Sequence, residues 1–123
     1  TPGKINFNST LYNNGSYFNT SNQRFTAPVT GYYLTIIHAY MYAGSYDTNI
    51  YAYKNGASYS RGQSYNGLNT LYNSNPGGAT LSCIMYLTAN DYVEAYYGLN
   101  DDGRGCTIYN GGNATRFEMF LLG

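Results

Sequence analysis

Apolar and polar positions alternate with a period of two through most of this chain. No helical period survives a window of about eleven residues. The alternation predicts strands at Lys4–Phe7, Leu11–Phe18 (interrupted at Asn13–Ser16), Arg24–Ala27, Tyr32–Tyr42, Asn49–Lys54, Ser58–Arg61, Ala79–Leu87, Tyr92–Tyr97, Thr107–Tyr109 and Arg116–Leu122. Turn signals fall between them: Asn14-Gly15, Pro28 to Gly31, Asn55-Gly56, Asn66-Gly67, Asn75 to Gly78, Asp102-Gly103 and Asn110 to Gly112. Asn55-Gly56 is the sharpest, because a two-residue type I′ hairpin needs positive φ twice. Gly62–Gly78 is the least regular stretch and is predicted to be an exposed loop. About ten short strands with frequent turns predict an all-β sandwich or barrel. The 123 residues suit one domain, and no internal repeat or linker divides them.

Two predicted strands are apolar on both faces. Tyr33, Thr35, Ile37, Ala39 and Met41 line one side of Tyr32–Tyr42, and Tyr32, Leu34, Ile36, His38 and Tyr40 line the other. In the last strand Phe117, Met119 and Leu121 oppose Glu118, Phe120 and Leu122. An antiparallel sheet usually leaves one face to water. With no helix predicted to cover the second face, another subunit around a symmetry axis is the economical cover. The predicted subunit contact is therefore Tyr32, Leu34, Ile36, His38, Tyr40 and Phe120.

Charge is sparse. Six Lys and Arg balance six Asp and Glu, and charged residues make up 10% of the chain, against roughly 25% in ordinary domains. Seventeen tyrosines, and asparagines almost as numerous, take their place. Such a chain has no basic stripe to follow a phosphate backbone, which argues against nucleic acid. No apolar run approaches the length of about 20 residues that spans a bilayer as a helix, so no membrane insertion is expected. Tyr, Ser, Gly and Asn are also the residues of antibody recognition loops, where Tyr gives contact area at low entropic cost. The plainer account is that Tyr fills strands, which it favours.

Catalytic chemistry has little material. The single histidine, His38, leaves no basis for a nucleophilic triad or a histidine zinc site. Cys83 alternates with Leu81, Met85 and Leu87 and reads as a strand thiol, while Cys106 follows the loop Asn100 to Gly105. Two inert thiols and a Cys83–Cys106 bridge both fit the sequence. Asp101 and Asp102, adjacent on a Gly-rich loop, are candidate Ca²⁺ ligands. Solvated loop acids are the commoner arrangement, and no cofactor is required.

Six positions near the start carry a resemblance. Phe7, five residues, Asn13, four residues, Phe18, six residues, Phe25, five residues, Gly31, one residue and Tyr33 resemble the signature of the complement C1q globular-head family. Phe25 to Tyr33, Gly78 to Val93 and Phe117 to Leu122 resemble later segments of the C1q and tumour-necrosis-factor-like jelly roll. The likeness runs from Ile5 to Leu122. It implies one C1q-like domain over residues 1–123, folded as an all-β, ten-stranded, two-sheet jelly-roll sandwich and assembling as a trimer. It implies Phe7, Phe18, Phe25, Tyr33 and Phe117 in the core. It adds Asp47 as a calcium candidate, because some members place an acid there; the second acid of such members falls near Asn55, which is neutral. Met119 stands where the family usually has Gly.

The resemblance implies a non-catalytic recognition or attachment head, extracellular or on a virion surface, and not an enzyme. The Asn- and Tyr-rich surface suggests a bacterial or phage member. Expected partners are two further copies of the chain and a cell-surface glycan or protein, or other virion proteins. Tyr46, Asp47, Tyr72, Asp101, Asp102 and Arg104 are the candidate ligand-binding residues, on loops predicted to gather at one end. A structural virion trimer and a secreted innate-immune or signalling head are the alternatives.

Overall fold

The alternation becomes ten strands in the computed structural model, which describes residues 3–7, 9–10, 13–43, 47–65, 76–100, 106–108 and 115–123. They are β1 (Gly3–Lys4), β2 (Phe18–Asn19), β3 (Arg24–Thr26), β4 (Gly31–Ala43), β5 (Asp47–Lys54), β6 (Ala57–Tyr65), β7 (Pro76–Leu87), β8 (Tyr92–Asn100), β9 (Cys106–Ile108) and β10 (Arg116–Leu121). All pairings are antiparallel. One sheet runs β2-β3-β8-β5-β6, with β1 also on β8. The other runs β10-β4-β7, with β9 also on β4. Two facing antiparallel sheets with sequence-distant neighbours make the jelly-roll sandwich.

The core is what period two requires. Tyr33, Thr35, Ile37 and Ala39 of β4 face Ile50 and Ala52 of β5 and Val93 and Ala95 of β8, all fully buried. Phe7 and Phe25 are buried, and Phe18 and Phe117 pack half-buried against the same core. Phe7, Phe18 and Phe117 form a triangle of edge-on and tilted rings with centroids 5.6–6.1 Å apart. Phe25 meets Tyr33 edge-on at 5.6 Å. Met119 packs against the core: its sulfur lies 3.1 Å from the Thr35 hydroxyl, which also lies 3.2 Å from the Met85 sulfur. The one hydroxyl proton in this apolar layer therefore has two soft acceptors.

Asn55 and Gly56 have φ of 50° and 84°, the doubly positive pair of a type I′ hairpin. Three expectations are refined. In Leu11–Phe18 the interruption expected at Asn13–Ser16 is a 3₁₀ turn over Asn14–Ser16, and pairing begins at Phe18, which with Asn19 forms β2. Lys4–Phe7 meets β8 at Lys4, after Gly3, and through the Ile5 N–H, which donates to the Ala95 carbonyl at 2.9 Å, while Phe7 enters the ring cluster. Gly62–Gly78 is not all loop. Gly62 pairs with Ile50 on β5, and Pro76, Gly77 and Gly78 pair with Tyr42, Met41 and Tyr40 on β4. Glycines extend these strands because long neighbours supply hydrogen-bond partners whatever the side chain. Gly62 is also where the sheets close on each other, since a Cβ there would strike the Thr80 carbonyl oxygen. Pro76 is tolerated as the first residue of an edge strand.

Candidate functional site

The register turns each outer sheet face into a grid. On the second sheet, Leu122, Tyr32 and Tyr86 form one row, Phe120, Leu34 and Ile84 the next, then Glu118, Ile36 and Ser82, then Arg116, His38 and Thr80. Tyr32 is 54% exposed, Ile84 57%, Tyr86 47% and Phe120 41%. Leu34, Ile36, His38 and Tyr40 are half-buried. Tyr32 and Tyr86 meet edge-on at 5.1 Å. His38 Nδ1 is 2.7 Å from the Thr80 hydroxyl, and Arg116 pairs with Glu118 at 3.1 Å. The face is thus an apolar patch with a polar margin towards Arg116 and Thr80. All six residues expected at a trimer contact lie on it. Ile84 and Tyr86 lie on it too and were missed, although alternation in β7 places them opposite Leu81, Cys83, Met85 and Leu87.

On the first sheet the outward rows read Lys4, Tyr96, Tyr51, Arg61, then Arg24, Glu94, Tyr53, Ser58. Glu94 is buried beneath this layer, at 2% exposure. Its carboxylate accepts from Lys4 Nζ at 2.5 Å and Arg24 Nε at 3.0 Å. Two charge-assisted bonds offset the desolvation of the acid. Arg24 also lies 3.9 Å over the Tyr92 ring.

The strands that flank the candidate ligand residues in the sequence end close to one another. Ala43 pairs with Cys106 and Tyr42 with Pro76, while Asp47 pairs with both Tyr65 and Asn100. The short step from Ala43 to Asp47 brings these two sets of strand ends together. Tyr46, Tyr72, Asp101, Asp102 and Arg104 lie outside the described residues. Asp47 opens β5. Asn55 follows the opposite end of that strand, roughly 26 Å away at about 3.3 Å per residue, so the two positions cannot share an ion. Asn55 is instead structural: its amide donates to Asp91 at 2.9 Å and its carbonyl oxygen accepts from the Tyr92 N–H at 2.9 Å. Among the described residues, no group of three or more His, Cys, Asp or Glu is arranged to hold a metal.

Cys83 is a free thiol, so it forms no bridge with Cys106. Burial pushes its pKa up, opposed by a hydrogen bond with Ser60. It is a packed and unreactive group.

These features match a known family. The chain belongs to the C1q domain family, whose model matches residues 1–122. Assembly as a trimer is typical of that family, whose domains are generally non-enzymatic recognition heads, extracellular or secreted. Among solved structures, the globular domain of zebrafish complement 1qA protein is similar with a TM-score of 0.70 at 18% identity, covering 97% of this chain and 84% of that one. The structure of Eiger TNF from S. frugiperda is similar with a TM-score of 0.70 at 12% identity, covering 86% of this chain and 68% of that one. At such identities the likeness concerns the fold. No curated protein sequence matches the chain. Among the described residues, no helix is long and apolar enough to cross a membrane.

Proposed function

We propose that this chain is a non-catalytic homotrimeric head, displayed outside a cell or on a virion surface, that attaches to a cell-surface glycan or protein. The observation that carries the reading is the apolar outer face of β10, β4 and β7. Tyr32, Ile84, Tyr86 and Phe120 stand out from it around Leu34 and Ile36. A contiguous patch of this kind is unusual on a monomer and marks an interaction surface. The family's habit of trimerising supplies the occupant: two further copies of the same face, closed about a threefold axis. The first sheet and the strand ends at Ala43, Asp47, Asn100 and Cys106 are then left outward for a partner.

Light scattering on the native chain tests the assembly. Three times the chain mass of 13.6 kDa is expected at micromolar concentration. A well-folded monomer there would overturn the reading. Attachment is tested separately, by binding of the intact assembly to a glycan array and to cells; no binding to either would leave a purely structural virion trimer as the better account.

A further inference from the structure

The two outer faces of this sandwich differ in chemistry. The β10-β4-β7 face exposes aliphatic and aromatic carbon: Ile84, Leu122 and Phe120. The β8-β5-β6 face exposes none of the large aliphatic side chains across its central rows. It presents Tyr51, Tyr53 and Tyr96 around the stacked pair Tyr53–Tyr96, whose centroids are 4.1 Å apart at 22°. Tyr51 stands perpendicular to Tyr53 at 6.0 Å. Mutual packing fixes these rings before any ligand arrives, so little side-chain entropy remains to be lost on binding. Their three phenolic hydroxyls make no hydrogen bond among the described residues, and each is both a donor and an acceptor. A β-bulge opposite Ala52 and Tyr53 adds a fourth tyrosine at this margin, Tyr59, 48% exposed. Bulges re-aim side chains in this way.

Among the side chains described on this face, basic residues outnumber acids. Lys4, Arg24 and Arg61 are half of the six basic residues of the chain. From Asn49 to Tyr53 on β5 and from Tyr92 to Gly98 on β8, Glu94 is the only acid. Glu94 engages Lys4 and Arg24. Lys54 pairs with Asp91, and Arg116 with Glu118. Arg61, exposed and directly across from Tyr51, is left without an ion-pair partner among the described residues. A guanidinium with no ion-pair partner among the described residues, beside fixed aromatic rings, is a fork for a carboxylate.

We propose that the outer face of β8-β5-β6 docks a carboxylated glycan, with sugar rings packed on Tyr51, Tyr53 and Tyr96 and a uronic- or sialic-type carboxylate held by Arg61. This rests on the reading of the chain as a recognition head and names the partner and the face. The unengaged hydroxyls suit a ligand dense in hydroxyl groups. The lack of exposed aliphatic carbon disfavours an apolar protein contact. The excess of positive charge selects an acidic chain over a neutral one.

The test uses hyaluronan, alginate, oligogalacturonate and oligosialic acid fragments, each beside its carboxyl-reduced form, with polyglutamate as a charged chain lacking sugars. Calorimetry on the native protein is expected to show binding of at least one acidic glycan, at least tenfold weaker for its reduced form and for polyglutamate. Arg61→Gln should weaken the acidic glycan about tenfold and leave the reduced form unchanged. Its melting temperature should not move, because Arg61 is exposed and has no ion-pair partner among the described residues. Tyr53→Ala should weaken both forms. The proposal is overturned by no binding of any acidic fragment, by equal binding of reduced forms or polyglutamate, or by an Arg61→Gln variant that binds as the native chain does. Binding of the native protein to other glycans or to cells, with Arg61→Gln without effect, removes this face and leaves the recognition head standing. Absence of all attachment removes both.

Discussion

Asp91 shows how much one half-buried side chain can organise. Its Oδ1 accepts from the Asn55 amide at 2.9 Å, and its Oδ2 accepts from the Thr88 N–H at 2.8 Å with Lys54 Nζ at 3.5 Å. It ties the β5–β6 hairpin to the β7–β8 turn. The Asn55 hydrogen bond, then the Thr88 N–H and Lys54, hold its pKa below the ordinary carboxylate value. A depressed folded pKa means stability that is fully present above the unfolded value, near 3.9, and lost as pH falls through the folded value. Thermal melts from pH 7 to pH 2 should therefore show an acid loss that is shallower in Asp91→Asn, which starts lower at neutral pH. Parallel curves for the two proteins would show that Asp91 contributes nothing to acid sensitivity. The residue-scale motif Phe7, Asn13, Phe18, Phe25, Gly31 and Tyr33 has equally specific causes. Asn13 donates its amide to the Phe18 carbonyl at 2.8 Å and accepts from the Phe18 N–H at 3.1 Å, standing in for a strand neighbour. Gly31 lies where a Cβ would come within 3.0 Å of the Gly123 carbonyl oxygen. The Tyr33 hydroxyl donates to the Val29 carbonyl at 2.7 Å across the bend that opens β4.

At the scale of elements, legibility followed burial on a period of two. The long strands β4, β7 and β8 were readable because their inner faces alternate, and the hairpin at Asn55-Gly56 because its backbone demands those residues. The ends of β6 and β7 were not readable, since Gly62, Gly77 and Gly78 owe their strand state to partners far along the chain. The interruption at Asn13–Ser16 was readable from the Asn14-Gly15 turn signal, and Asn13 there supplies Phe18 with the pairing that a neighbouring strand would otherwise give. Core aromatics should reflect these differences. Phe25 is buried on β3 between Val93 and Tyr33, so Phe25→Ala should cost about 3–5 kcal/mol. Phe18 is half-buried on a two-residue strand, so Phe18→Ala should fall below that range. Urea titration of both variants checks the order; a Phe18→Ala loss as large as that of Phe25→Ala would mean the β2 edge is a tighter part of the core than its exposure suggests.

The whole molecule joins two faces that the sequence disclosed unequally. The doubly apolar β4 announced a second covered face, because both of its alternating sets are visibly hydrophobic. Ile84 and Tyr86 escaped notice because polar Ser82 breaks the outer set of β7. The tyrosine face escaped because Tyr51, Tyr53 and Tyr96 look like ordinary strand residues until the register places them side by side, with Arg61 across from them. Ile84 decides whether the apolar face is shared between copies. In a lone subunit it is 57% exposed, and Ile84→Asp there should change stability by no more than about 0.5 kcal/mol. In a trimer the same change buries a carboxylate against apolar side chains and should cost several kcal/mol or prevent assembly. Mass action supplies an independent readout: the melting temperature of the native chain should rise with protein concentration, and that of Ile84→Asp should be lower and independent of it. Melts over a hundredfold concentration range, paired with light scattering, separate the cases. A native melting temperature that does not vary with concentration, unchanged by Ile84→Asp, would place this face in water.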